Sequence, residues 1–473
     1  MLLKLLFVFI GGLFVFPEEK VSLQDYLATV KEKNPSFKAA TLKKSGFADS
    51  QREGDLYFKP LLHGRATVDS NAGFPNQPGF FYDEIRTNSY NLGLSQEFAF
   101  GMQMKLNYNV YKTKFFNAGF GATPLPFENW NAIPSVDVEI PLWQNLFARS
   151  SRAQRDVTVA QNRAEFEAAN LEQTEVLINA ELAYWRLATA QSVVRLQKEA
   201  FARSKDLFDF IQKKARMDLR DKSDVLQTKA AYVANELDLK LALDEERSAQ
   251  RNFNRWRFAD SGDSVPALKS IDLESFDRTV LPQQRPGERL DVTIAQEQSK
   301  LTKAVAVMAE ERNKPAFSLV GSYAMNGRND LRMSDAISNA NTSNRNSYAY
   351  GVQFTVPLHL AASADAREGA RLRQAAADAD LEFKKKDQDL QWADLVANHQ
   401  ESLNRLDLLG QIVKAQLEKM QEEKRLIRLG RSSLFNVLNF EQEYLRSERA
   451  RAQSLFECTS LRLQGQLYTG RIQ

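Results

Sequence analysis

Of the 473 residues only Cys458 is a cysteine, so no disulfide can form within the chain. The three histidines, His63, His359 and His399, lie far apart, and none stands in a metal-ligand spacing. Glycine is sparse, 21 residues, and forms no phosphate-cradling loop. Neither sign of charge dominates: 63 basic residues against 60 acidic ones leave +3, too balanced for a nucleic-acid-binding polyelectrolyte. The mean hydropathy of −0.44 excludes a polytopic helical membrane protein. It does not exclude a membrane β-barrel, whose strands carry only weak alternating signals. These absences lead us to expect no enzyme, no cofactor, no metal and no nucleic-acid partner. An exported envelope protein, a helical rod and a cytosolic scaffold stay open.

The N-terminus narrows the choice. Residues 1–16 read MLLKLLFVFIGGLFVF, with Lys4 as a short positive segment and an apolar run of 12 residues from Leu5 to Phe16. That run is too short to cross a ~30 Å hydrocarbon core as a helix. It fits the apolar part of a secretory signal, although no small-x-small cleavage pattern precedes Pro17. No cysteine stands near residue 17 to take a lipid, and no later stretch approaches ~18 apolar residues. An exported chain without a transmembrane helix is the expectation.

The remainder is written twice. Asn34–Pro60 and Arg289–Pro315 are both 27 residues of helical composition ending in Lys-Pro. A β-rich segment follows each, closing at Pro141-Leu142-Trp143 in the first half and Pro357-Leu358-His359 in the second. Then come about 70 residues of charged, Ala- and Leu-rich helix pattern, a short break, and a further helix. The breaks fall at Asp218–Leu226 and Gly430–Leu438. The domain expectation is therefore a signal over 1–16, a first repeat over 17–257 with strands at about 56–142, and a linker over 258–288. A second repeat covers 289–473, with strands at about 315–357.

The helices are long. Gln144–Ala215 spans 72 residues without proline or glycine, roughly 105 Å at ~1.5 Å per residue. Such a helix is a rod or the stave of an assembly. Leu406, Leu409, Val413, Leu417, Met420 and Ile427 step by 3, 4, 4, 3 and 7, a heptad-like seam. Ala160, Ala164, Ala168 and Ala169 permit close approach on another face. Charge runs such as Lys384–Asp387 and Gln421–Lys424, and the acidic pair Glu310-Glu311, read as solvated faces.

The β segments alternate with period 2. In Tyr348–Val356 one face carries Tyr, Tyr, Val, Phe and Val, the other Ala, Gly, Gln and Thr. This suits a lipid-facing barrel wall with a wet interior; a half-buried sheet of a soluble protein would look similar. From Tyr90 to Val110 the even positions are apolar, with Gln96 the one break. A single strand of that length would run ~71 Å, about twice a barrel's apolar band. Two strands with an odd-numbered loop, such as Ala99-Phe100-Gly101, preserve the parity. The first β region is 39 residues longer than the second, the size of an extra hairpin with its loop near 115–130. Ser334–Asn346, rich in Asn and Ser, is expected to be an extracellular loop that needs no fixed structure.

These features together resemble the TolC-like outer-membrane efflux protein family. The residues that carry the resemblance are Asn34-Pro35, Lys59-Pro60, Lys314-Pro315, Pro141-Leu142-Trp143, Pro357-Leu358, Ala183-Tyr184-Trp185, and the break endings Asp224-Val225-Leu226 and Asn436-Val437-Leu438. The resemblance implies a mainly α fold with membrane β-structure: a homotrimer whose six repeats close one outer-membrane β-barrel continuing into a long periplasmic α-helical barrel. It implies a passive exit duct of a tripartite efflux pump or type I secretion system, seated in outer-membrane lipid. Its partners would be a periplasmic adaptor (membrane fusion) protein and an inner-membrane transporter. The family's usual twelve strands need two per repeat, so the extra hairpin either enlarges the barrel or rises outside it. An exported coiled-coil structural or tether protein of the envelope is the alternative.

The resemblance also points to the breaks. Residues 216–224 and 428–436 would form periplasmic tips that dock the adaptor, exposing Arg216, Arg220, Lys222, Arg428, Gly430, Arg431 and Ser433. In the family a tyrosine and an arginine brace the tip and two aspartates ring it. With the tip glycine placed on Gly430, these positions fall on Ile427, Ser432, Asn436 and Asn439, and none of the four types is retained. The one acid at a matching place is Asp224 of the first repeat, with a local partnership to Lys222 or Arg220 as the other reading. A neutral to basic constriction is expected.

Overall fold

Helix follows wherever proline and glycine are absent and apolar residues recur at helical spacing. The computed structural model describes residues 21–74, 79–121, 123–124, 127–217, 221–260, 265, 268, 279–342, 344–429 and 431–468. The expected signal over 1–16, and much of the expected linker over 258–288, lie outside them. In chain order, α1 is Leu23–Lys33 and α2 Pro35–Ser50, followed by a 3-10 segment Gln51–Phe58. The strands are β1 Leu61–Asn71, β2 Phe80–Phe81, β3 Glu84–Glu97, β4 Gln103–Phe116, β5 Gly119–Phe120, β6 Thr123–Pro124 and β7 Phe127–Pro141. Helices α3 Arg149–Ala215 and α4 Lys222–Trp256 follow. Then come α5 Leu290–Arg312, β8 Ala316–Met325, β9 Gly327–Asn329, α6 Met333–Thr342, β10 Asn346–Thr355, α7 Leu360–Arg428 and α8 Leu434–Gln464.

The chain divides into two compact units: Gly46–Glu165 with Ile294–Phe383, and Met1–Ser45 with Phe166–Thr293 and Lys384–Gln473. The first is built on an antiparallel sheet in the order β1-β3-β4-β7-β8-β10, with β9 added alongside β7. The turn expected near Gly101 is present. Phe98 N donates to Met102 O at 2.8 Å, closing the Ala99-Phe100-Gly101 loop, and Gly101 takes the positive φ of 97° that this turn requires. Glu97 pairs with Gln103, so the apolar parity carries through. The extra hairpin of the first β region lies within the sheet, since β3 pairs with β1 and β4 pairs with β7.

Ser334–Asn346, expected to be a loop that needs no fixed structure, is largely helical instead. It holds α6, whose Ala336 and Ala340 are fully buried against Val110 and Ala132 of the sheet. Packing overrides weak helix propensity here. Gly327 makes the fit possible: a Cβ there would stand 2.1 Å from Ala336 O and 2.3 Å from Ala340 N.

Strand gives way to helix over 142–148. Asn145, Phe147 and Ala148 all adopt positive φ. Asn145 Oδ1 accepts from the backbone N–H groups of Ser150 and Ser151 at 2.9 and 3.2 Å, capping α3, and its Nδ2 donates to Glu97 Oε1 at 3.1 Å. Glu311 differs from its expected solvated face. It is fully buried, accepts from Asn145 N at 3.2 Å, and meets Lys314 Nζ at 2.6 Å and Arg149 Nε at 3.3 Å. Two cations and a peptide N–H compensate the charge that burial strips of water.

The second unit packs α1, α3 and α4 around Tyr26, Tyr184, Leu187 and Phe253, all buried. The Tyr26 and Phe253 rings stack at 4.2 Å, and Tyr26 Oη donates to Phe253 O at 3.1 Å. Burial pushes the Tyr26 phenol well above its ordinary pKa. The Asn34-Pro35 pair is a helix start: Asn34 Oδ1 accepts from Ser36 N at 2.9 Å with Pro35 at the first helical position, and Asn34 Nδ2 donates to Trp256 O at 2.7 Å. On α7 the expected seam alternates between buried Leu406, Val413 and Met420 and half-buried Leu409, Leu417 and Ile427. Arg289 bridges Asp291 at 2.5 Å and Asp387 at 3.0 Å, so Asp387 leaves its expected solvated run to join a network.

Candidate functional site

Two features have the form of a site: the two faces of the sheet, and the breaks between long helices. The register decides the first. Leu62 pairs with Leu94, Leu94 with Leu106, Leu106 with Val136, Val136 with Tyr323, and Tyr323 with Tyr348. Directly paired residues share a face, so one apolar face runs through all six strands. Most of it is open: Leu62, Val68, Leu92, Ile140, Leu319, Val352 and Phe354 are exposed, and Tyr350 is 86% exposed. Such a patch is far beyond what single surface apolar residues explain.

The opposite face is polar and knitted together. His63 Nε2 hydrogen-bonds with Asn107 Oδ1 at 3.2 Å, and Asn107 Nδ2 donates to Asp137 Oδ2 at 3.1 Å. Asn91 Nδ2 donates to Asn109 Oδ1 at 2.6 Å, and Ser318 Oγ donates to Glu139 Oε1 at 2.9 Å. Arg65, Asp69 and Lys105 stand on the same face. A sheet apolar and exposed on one face and charged on the other matches a wall between lipid and water.

The breaks are short. Arg216 N donates to Gln212 O at 3.2 Å to end α3, and α4 starts after Asp221. In the other break Arg431 N donates to Leu426 O at 3.0 Å, and the Ser433 hydroxyl caps α8 by accepting from Asn436 N at 3.3 Å. Arg216, Lys222, Arg431 and Ser433 are exposed. Arg220 and Gly430 lie outside the described residues, as does the Arg428 side chain. Asp224 is half-buried, and its backbone carbonyl accepts from Thr228 Oγ1 at 2.9 Å. Of the expected constriction residues, Asn439 is exposed and Asn436 and Ser432 are half-buried. Ile427 lines a cleft with Phe210, Ile211 and Val437. Asp224 stands on one break and Ile427, Ser432, Asn436 and Asn439 on the other.

Three acids near the second break were missed from sequence. Glu423 accepts a short hydrogen bond from Ser432 Oγ. Glu443 accepts from Asn439 Nδ2 at 3.2 Å and pairs with Lys419 at 3.0 Å. Glu441, buried, pairs with Arg203 at 2.7 Å and Lys424 at 3.6 Å. The sequence carried a signal for Glu441, an acid in the buried stripe Leu434, Val437, Glu441, Leu445 of α8. Arg425 beside Glu422 holds that exposed carboxyl below its usual range.

No helix of the described residues is long and apolar enough to cross a membrane, and none of them form a group of three or more potential metal ligands. No protein-family model matches the chain, and no curated protein matches it either. Solved structures do match it. CusC, described for transmembrane channel formation, superposes with a TM-score of 0.65 at 14% identity over 95% of this chain and 92% of its own. The outer-membrane channel OprN gives 0.65 at 18% identity over 95% and 89%. The Campylobacter jejuni CmeC outer membrane channel gives 0.65 at 13% identity over 97% and 90%. The chain therefore has the fold of the TolC-like outer-membrane channels: mostly helical, with a sheet portion.

Proposed function

We propose that the protein is an outer-membrane exit duct: a passive channel, not an enzyme, carrying small molecules or proteins out through the outer membrane. The observation that carries this reading is the register of the six-strand sheet, which gathers an exposed apolar row on one face and a hydrogen-bonded polar network on the other. A membrane wall needs this arrangement, since hydrocarbon solvates no polar side chain and no unpaired backbone group. The likeness to outer-membrane channels supports it at the level of fold.

On this reading the chain is a tandem repeat, and three copies assemble a β-barrel in outer-membrane lipid with a helical barrel in the periplasm. The breaks at 216–224 and 428–436 are the periplasmic tips that meet an adaptor, which links the duct to an inner-membrane transporter. Their exposed cations Arg216, Lys222 and Arg431 are available to acidic partners. Asp224, Ile427, Ser432, Asn436 and Asn439 line the constriction. The test is membrane fractionation. The protein should sediment with the outer membrane, need detergent for extraction, and migrate as a heat-modifiable oligomer. A soluble monomer would overturn the reading, including in favour of an envelope tether.

A further inference from the structure

The sheet ends in two open edges. Among the described residues, β1 pairs only with β3 and β10 only with β8, and both ladders run without a bulge: Leu61 opposite Ser95 through Asn71 opposite Ile85, and Asn346 opposite Met325 through Thr355 opposite Ala316. Strands in an antiparallel sheet turn alternate backbone groups toward each neighbour, so β1 and β10 each direct half of theirs away from the sheet. Neither strand carries the proline or bulge that blunts an edge. Both carry exposed apolar side chains, Leu62 and Val68 on one, Tyr348 and Phe354 on the other. In hydrocarbon such an edge must be paired.

The six strands fall short of the ~8 that the smallest membrane barrels need, so one chain cannot close the wall. A second copy offers a matched partner. With an even number of antiparallel strands, β1 and β10 run in opposite directions. Their lengths agree, 11 and 10 residues. Even-numbered residues of both strands belong to the apolar face, so setting Ala66 opposite Tyr350 of the partner subunit continues the apolar row across the seam. That register places Thr67 opposite Ala349 of the partner subunit on the polar face.

We propose that β1 of each copy pairs with β10 of the next and that three copies, six strands each, close one barrel of eighteen strands rather than twelve. The proposal rests on the trimeric duct reading and deepens it: the β3–β4 hairpin widens the wall instead of projecting from it. Barrel diameter rises with strand number, to roughly 36 Å between backbones against about 24 Å for twelve strands of ordinary spacing and tilt. The duct therefore passes bulkier cargo at the membrane than a twelve-stranded barrel does.

The test uses the full chain in detergent with Cys458→Ser as background. Thr67→Cys is combined in turn with Ser347→Cys, Ala349→Cys or Gly351→Cys, which covers a register slip of two residues either way. One pair should shift the chain under non-reducing denaturing electrophoresis to a three-chain species that reductant dissolves, with each single cysteine inert. Imaging of the particles should count eighteen strands. A detergent-stable trimer in which no pair links, with twelve strands and the hairpin outside the wall, would overturn the proposal and leave the duct reading standing. A water-soluble monomer would overturn both.

Discussion

Arg203 Nε donates to Glu441 Oε1 at 2.7 Å, and the carboxylate is only 5% exposed. The pair ties α3 to α8, and Lys424 of α7 closes on the same oxygen at 3.6 Å. Replacing Glu441 with alanine leaves Arg203 and Lys424 facing each other without the carboxylate they share. We expect a loss of roughly 1–3 kcal/mol, since both cations keep some water. Denaturant unfolding would read it, and Arg203→Ala in the same background should restore part of the loss.

The fit of α6 depends on Gly327. A methyl at that position meets backbone atoms, not a flexible side chain that could move aside. Gly327→Ala should lift α6 from Val110 and Ala132, costing about 2 kcal/mol or more locally. Hydrogen exchange of residues 333–342 should accelerate by at least tenfold, while that of β3 stays unchanged.

Glu181 sets a pH dependence. Desolvation raises its carboxyl pKa, partly offset by the hydrogen bond from Trp185 Nε1 and the charge of Arg462. A folded pKa above the unfolded value adds stability that is complete below the unfolded pKa and is lost as pH rises through the folded one. At neutral pH the group is therefore a burden. Glu181→Gln, which keeps an acceptor for Trp185, should raise the melting temperature at pH 7, and the gain should vanish near about pH 4. An equal gain at both pH values would show that charge is not the cause.

The orientation of the proposed duct is open to crosslinking. Cysteines at Lys222 or Ser433, both exposed on the breaks, should link to the periplasmic adaptor in cells. Crosslinks from Phe115 or Asn341 instead would reverse the assignment of ends.

The proposed constriction should respond weakly to multivalent cations, because amides stand at Asn436 and Asn439 and a lysine neutralises Glu443. Conductance in planar bilayers measures this. Strong block by trivalent cations from the periplasmic side, unchanged in Asp224→Asn, would point to another acid such as Glu423 and shift the assignment of the tip.

Much of this architecture was legible in sequence for a physical reason. Periodicity survives wherever one face is apolar, so the preserved parity across Ala99-Phe100-Gly101 located a turn, and the proline-free run before Ala215 located α3. What escaped depends on contacts distant in sequence. Ala336 and Ala340 carry too little hydrophobic signal to announce α6; Val110 and Ala132, more than 200 residues away, decide it. Glu311 looks like half of a solvated pair until Arg149 and Asn145 arrive from the other end of the sheet unit's sequence. The length of the extra hairpin could be read, but its place in the sheet is fixed only by pairing with β1 and β7.

The junction over 142–148 sets more than a change of direction. An α-helix advances about 100° with every residue, and Asn145 clamps the start of α3 to Glu97 at the end of β3. Adding or deleting one residue between Trp143 and Arg149 would swing the buried row Ala153, Ala160 and Ala164 about a quarter turn away from its neighbours. The left-handed residues at 145, 147 and 148 thus act as an indexing stop. They fix the angular phase of the helix against the pleat of the strands, so the segment is far less tolerant of a change in length than of a change in side chain.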